Sequence, residues 1–237
     1  MRLGILMFNT LIALVAFLFS HVVLAENPGR AWSIALLGQR GHLLFYSLLS
    51  LALIWWLSAA VAAAPVIALW PHLDILHLLP VIVMPCALLL VVCGISQNNP
   101  SSIYVERLAP LALRRREPRG ILTITRNPVM WGLGIWAGAH ALASNQLAET
   151  FRFGGFAMLA ILGSYRIDRK VAARWGATEW AVFASQTSNL PMLAILQGRI
   201  SMDWRTIGWV RPLIALLLYL LLFSWHQAWF GLPAVDM

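Results

Sequence analysis

The chain has 237 residues, 60% of them apolar and only 11% charged, with 12 Trp. Soluble globular domains carry about 25% charged residues, so the composition excludes one. The net charge of +8 comes from 16 Arg and a single Lys, Lys170, against nine carboxylates, and its placement decides between nucleic-acid binding and membrane orientation.

Uncharged runs at 3–25, 43–69, 75–98, 127–148 and 212–235 each approach the roughly 20 residues of a membrane span. The first ends in Val23-Leu24-Ala25, which resembles a signal-peptidase site. An uncharged stretch from Leu3 to Ala25 exceeds the about 7–15 residues of a signal h-region, so we expect a retained helix. In the third run Pro80 and Pro85 predict a kink. Cys86 and Cys93 lie two turns apart there, roughly 10 Å on one helix, beyond the roughly 7 Å a disulfide allows; they read as packing residues.

Between the third and fourth runs, Pro100 to Arg126 gathers Arg114-Arg115-Arg116, Arg119 and Arg126. The Arg114 to Arg116 run suits orientation and attraction to anionic membrane lipids. Arg126 is the better site candidate, because it directly precedes the Asn127-Pro128 that starts a helix. Its guanidinium could bind haem propionates, a headgroup or an anionic substrate bidentately. Gly134 and Gly138 form a small-xxx-small pattern that suits close packing.

A sixth run, Phe153 to Tyr165, is short and spans only if Thr150 to Phe153 and the Arg166 stem extend it. Glu179 to Gln197 is apolar but broken by Gln186-Thr187-Ser188-Asn189 and Pro191, which predicts an interfacial or re-entrant segment near 179–197. The expected fold is all-α, a polytopic membrane helical bundle of about six transmembrane helices forming a single integral membrane domain over 1–237.

Six spans put both termini on one side, and fifteen of the seventeen basic residues fall in loops one, three and five. The positive-inside rule makes those loops cytoplasmic and both termini periplasmic. Charge is thereby explained as orientation, and no nucleic-acid partner is expected.

No Asp, Glu, Lys or Arg lies deep in a predicted span, but His21, His140 and His226 do, and ionisable groups there signal function by default. His77 sits near the start of the third span, and His42 and His72 at helix ends. Two imidazoles on different helices are what a b-type haem needs, each with one nitrogen able to bind metal and its other N–H open to anchoring by a neighbour. Helix rise puts His140 and His226 roughly 20 Å from the cytoplasmic boundary and His21 about 6 Å from it, so spacing pairs His140 with His226. Thr10, Leu14 and Phe17 share the helical face of His21.

Thr125-Arg126-Asn127-Pro128-Val129-Met130-Trp131-Gly132, continuing through Trp136 to Asn145, resembles the NnrU family of bacterial membrane proteins. Gly41 to Leu53, Phe153 to Lys170 and Pro191 to Pro212 are similar too. The resemblance implies a place in the bacterial inner membrane and an association with denitrification, where the family is linked to nitric oxide reduction. It also implies kinship with the plant zeta-carotene isomerase, a haem b enzyme with histidine-ligated iron. Carried over, its ligands fall on His21 and His140, with His226 as substitute. This reading expects haem b and isomerisation of a lipophilic polyene, or an accessory role in nitrogen-oxide metabolism.

Arg126-Asn127-Pro128 with Gly132, then Arg166-Ile167-Asp168-Arg169 and Gly176 to Trp180, is more distantly similar to isoprenylcysteine and phospholipid methyltransferases. That likeness implies Arg126, Asp168 and Glu179 near S-adenosylmethionine. Here Asn127 replaces a His, Trp180 a Tyr, and Arg169 and Lys170 stand where carboxylates are expected, so the fold transfers better than the chemistry. A third expectation is a non-catalytic assembly factor or sensor with a respiratory complex as partner.

Overall fold

A computed structural model describes residues 2–26, 28–97, 99 and 118–231. Arg107 and the Arg114 to Arg116 run lie outside these. The described elements are α1 (Arg2–Ala25), α2 (Gly29–Ala62), α3 (Asp74–Ser96), a 3-10 turn (Gly120–Thr123), α4 (Pro128–Ala143), α5 (Leu147–Trp175), α6 (Ala177–Gln186), α7 (Leu193–Leu196), α8 (Trp204–Ile207), α9 (Val210–Ser224) and α10 (His226–Phe230). Among the described residues the only strand-like pairing is one isolated bridge, Ala68 with Gln146, so the expected all-α fold is what the chain adopts.

Leu3–Ala25, Gly29–Ala62 and Asp74–Ser96 are long and apolar enough to cross a membrane. The other expected spans are helical too, with shifted ends. The run at 127–148 becomes the 16-residue α4. Phe153 to Tyr165 lies inside the 29-residue α5, which carries Arg152 and Arg166 within it and is not among the helices apolar enough to cross a membrane. The last run does not continue to 235 as one helix. It ends at Ser224, Trp225 leaves helical dihedrals (φ −106, ψ 8), and α10 restarts at His226. The segment near 179–197 is broken as its polar interruption predicts, into α6, the Thr187–Asn189 loop and α7.

The chain divides into two compact units, Met1–His72 with Ser144–Gly155, and Leu73–Ala143 with Phe156–Met237. In the first, α1 packs on α2, and its buried residues Thr10, Ala13, Leu14, Phe17 and Leu24 follow the helical period. Thr10 Oγ1 bonds Ala60 O across the pair at 3.2 Å, and Trp56 Nε1 donates to Asn9 Oδ1 at 3.3 Å. The opposite face of α1, with Ile5, Phe8, Val15 and Phe19, is apolar and exposed, as a lipid-facing surface must be. Helix α2 is interrupted at Gly38, whose φ of 69 and ψ of 170 are non-helical. Ser33 and His42 lie nine residues apart, about 13 Å of rise on an unbroken helix. The break lets Ser33 Oγ approach His42 Nδ1 to 2.7 Å.

In the second unit α3 crosses α4 at very short range. A Cβ on Gly132 would stand 2.7 Å from Ala87 O, and one on Gly94 would stand 2.6 Å from Val129 Cγ2. The expected Gly134 and Gly138 face is looser: Gly134 has Ile161 at 3.4 Å, and Gly138 has nothing within 4 Å. Leu90, Cys93, Ile121, Ile124 and Ile207 form the buried cluster below this crossing. Cys93 is a packing residue, as expected, whereas Cys86 is exposed; both cysteines are free. Tyr219 on α9 donates to Val81 O of α3 at 3.2 Å.

Candidate functional site

Polar groups in an apolar interior must find partners, and the second unit concentrates them around Asp168 on α5. Oδ2 of Asp168 accepts from Arg126 Nε at 2.9 Å, from Arg126 Nη2 at 2.8 Å and from Asn189 Nδ2 at 2.9 Å. Oδ1 accepts from Asn127 Nδ2 at 2.7 Å. Asn189 Oδ1 in turn accepts from Trp131 Nε1 at 2.8 Å, with Ser164 Oγ at 2.9 Å. The backbone closes the same bracket, since Arg126 N donates to Ser188 O and Met192 N to Ile124 O, both at 2.9 Å. Thr125 Oγ1 donates to Asn189 O.

Thr125, Asn127, Ser164, Thr187 and Asn189 are buried, and the Arg126 and Asp168 side chains are only 16% and 13% exposed. Arg126 also lies 5.2 Å over the Trp180 ring, a cation–π contact strengthened by desolvation. Its Nη1 points to Thr187 O at 3.4 Å. Guanidinium and carboxylate thus neutralise one another, and the bracket sets the position of residues 125–128 where α4, the helix of His140, begins. Asn127 Oδ1 is buried without a hydrogen-bond partner.

The two histidines singled out as ligands have the same local arrangement. His21 Nδ1 is 3.0 Å from Phe17 O, and His140 Nδ1 is 2.8 Å from Trp136 O. A carbonyl oxygen only accepts, so each Nδ1 carries the proton and each Nε2 the lone pair. Both rings are half-buried and flanked by aromatics: Phe17 and Tyr46 at 4.2 and 5.2 Å for His21, Trp136 at 5.7 Å for His140. His21 belongs to the first unit and His140 to the second. His226 opens the short α10 with its ring 5.0 Å from Phe230, so the single deep span on which its depth was reckoned is broken one residue before it. Among the described residues no group of three or more His, Cys, Asp or Glu could hold a metal.

Of the sequence candidates, Arg126 and Asp168 come together, while Glu179 lies exposed on α6 and takes no part in the bracket. Asn127, Trp131, Ser164 and Asn189 are the members that the sequence reading did not single out for a site. Asn189 was signalled by the polar break 186–189 in an otherwise apolar segment, and Asn127 and Trp131 by the 125–132 motif, while Ser164 had no such signal.

The family model described as "NnrU protein" matches residues 10–234. The chain is 34% identical over 80 residues to the 15-cis-zeta-carotene isomerase, chloroplastic, of Zea mays. It is 36% identical over 81 residues to the protein of the same name from Arabidopsis thaliana. Each match covers 34% of this chain and 22% of the relative. No solved structure matches.

Proposed function

The chain belongs to the NnrU family, and from that premise we propose that it is a membrane-embedded, isomerase-like protein that acts on a lipophilic polyene and holds haem b through His21 and His140. The partial likeness to two 15-cis-zeta-carotene isomerases supports the substrate class. The observation that carries the cofactor is the shared tautomer: both imidazoles have Nδ1–H tied to the carbonyl four residues earlier, as haem- and metal-binding histidines are held from behind. Neutral imidazole nitrogens of His21 and His140 would be suitable donors to haem iron.

When bound, the haem supplies an iron centre able to act as Lewis acid or redox centre. The protein's part is orientation and exclusion of water. Phe17 O and Trp136 O fix which nitrogen of each ring is basic, and the neighbouring aromatics restrict the ring planes. The Arg126–Asp168 bracket holds the start of the helix bearing His140, so Arg126 serves the cofactor site through position. Exposed apolar side chains of α1 and α2 offer lateral access to a lipid-soluble polyene. The Arg distribution favours an inner-membrane protein with both termini periplasmic.

The test is an absorbance scan of the full chain purified in detergent after haem-supplemented expression, followed by chromatography of 15-cis-zeta-carotene incubated with it. A Soret band lost in His21→Ala and in His140→Ala, with conversion of the central cis bond, is the expected result. Absence of the band refutes the cofactor. A band without conversion refutes the substrate and leaves an accessory role in nitrogen-oxide metabolism. Retention of the band in His140→Ala with loss in His226→Ala moves the ligand to α10.

A further inference from the structure

Residues 196–211 run from the end of α7 through α8 into α9, and two hydrogen bonds fix their level. Gln97, one residue past the end of α3, donates from Nε2 to Thr206 O at 3.2 Å, and Arg211 Nε donates to Ser96 Oγ at 3.0 Å. Helix α3 is long and apolar enough to cross a membrane and ends at Ser96. Its end and α8 therefore share one level, that of the boundary between hydrocarbon and headgroups. The segment has two apolar faces there. Inward, Ile195, Met202 and Ile207 join the buried cluster of Leu90, Cys93 and Ile121. Outward, Leu196, Trp204 and Trp209 are 79%, 57% and 74% exposed. The inward residues already make the contact with α3, and exposed Trp at this level is what a membrane interface selects.

Charge narrows which lipid covers the outward face. Residues 196–211 hold three Arg and one Asp. Arg199 is spent on the neutral oxygens of Gln197 Oε1, Ser185 O and Thr187 O, and Arg211 on Ser96 Oγ, Thr206 O and Ile207 O. Such bonds orient a guanidinium without cancelling its charge. The one carboxylate, Asp203, is turned to the Thr206 and Gly120 amides. Arg205, next to Trp204, is exposed and has no hydrogen bond or ion pair among the described residues. A guanidinium fork matches two oxygens of a phosphate.

We infer that residues 196–211 form a docking surface for an anionic phospholipid, with Arg205 on the headgroup phosphate and Leu196, Trp204 and Trp209 against the glycerol and upper acyl region. A zwitterionic lipid carries the same phosphate, but its cationic group meets a net-positive surface and is repelled, so the preference is for net negative charge. The surface is independent of haem and of any polyene substrate.

The test takes the full chain, stripped of lipid in an uncharged detergent, and titrates it with phosphatidylglycerol, with phosphatidylcholine and with inorganic phosphate, counting bound molecules by native mass spectrometry. Saturable uptake of phosphatidylglycerol in excess of phosphatidylcholine is expected, falling as salt rises. Arg205→Gln should weaken it roughly fivefold, the worth of one basic side chain at an anionic surface. Trp209→Ala should also weaken it, and is the variant read if Arg205→Gln does not fold. Arg40→Gln, which removes an exposed charge from the other unit, should leave it unchanged. Equal uptake of the two lipids, an Arg205→Gln titration identical to that of the unmodified chain, or an equal loss in Arg40→Gln overturns the inference. So does inorganic phosphate binding as tightly as the lipid, which would mark a bare anion site. A lipid-independent dimer that Trp209→Ala dissociates would give the surface to a second copy of the chain and overturn it as well.

Discussion

The guanidinium of Arg126 grips a single oxygen of Asp168 with two nitrogens, Nε at 2.9 Å and Nη2 at 2.8 Å, and that carboxylate also takes the amides of Asn127 and Asn189. Removing one partner of a buried pair strands the other, at about 3–5 kcal/mol. With both side chains slightly exposed, Asp168→Ala is expected near the lower end, about 3 kcal/mol. Thermal unfolding in detergent should show a large fall in Tm. The double variant Arg126→Met with Asp168→Leu should fall less, because no charge is left without its partner. A Tm for Asp168→Ala equal to that of the unmodified chain would remove the bracket's claim to position α4.

Gly132 and Gly138 sit on the same helix with opposite expectations. A methyl group at Gly132 would press on Ala87 O, which is backbone and cannot swing aside, whereas Gly138 has open space. Gly132→Ala should destabilise by about 1–3 kcal/mol through overpacking. Gly138→Ala should be neutral or stabilising by up to about 1 kcal/mol, because alanine is the better helix former. Equal Tm shifts for the two would contradict the α3–α4 crossing described above.

Gly38 holds a backbone conformation that a side chain strains, φ 69 with ψ 170. Gly38→Ala should therefore cost about 1–3 kcal/mol. It should also part Ser33 from His42, since only the break in α2 brings them together. Nitrogen NMR of the His42 ring reports the second effect: its ring-nitrogen shifts should differ between the variant and the unmodified chain as the Ser33 contact is lost.

Asp203 caps α8 by accepting from Thr206 N at 3.1 Å and ties in the 3-10 turn by accepting from Gly120 N at 3.0 Å. The hydrogen bond with the Thr206 side chain lowers its carboxyl most, burial opposes this next, and the Gly120 and Thr206 amides and the charge of Arg119 add to the lowering, so the carboxyl stays below the ordinary value. A carboxylate with a depressed pKa in the folded chain stabilises above the unfolded pKa of about 3.9, and that contribution disappears as pH falls through and below it. The Tm advantage over Asp203→Asn should be constant from pH 7 to 5 and shrink below about pH 4. An advantage that grows on acidification would reverse the assignment.

The sequence by itself determined that this chain is a helical membrane protein, because a 60% apolar composition with charges confined between uncharged runs has no stable soluble solution. It also determined the buried face of α1, since Thr10, Leu14 and Phe17 follow the helical period, and it marked the 186–189 break, since polar residues there need partners. What only the tertiary structure decided is which partners those are. Asp168 meets Asn127 across 41 residues and Asn189 across 21, and no local pattern encodes contacts at that range. The end of the last span at Ser224 was likewise invisible, because apolar residues continue past it and hydropathy does not register a change in dihedral angles. His42 read as a helix end until the break at Gly38 buried it against Ser33: a glycine permits such a break, and only packing makes it occur.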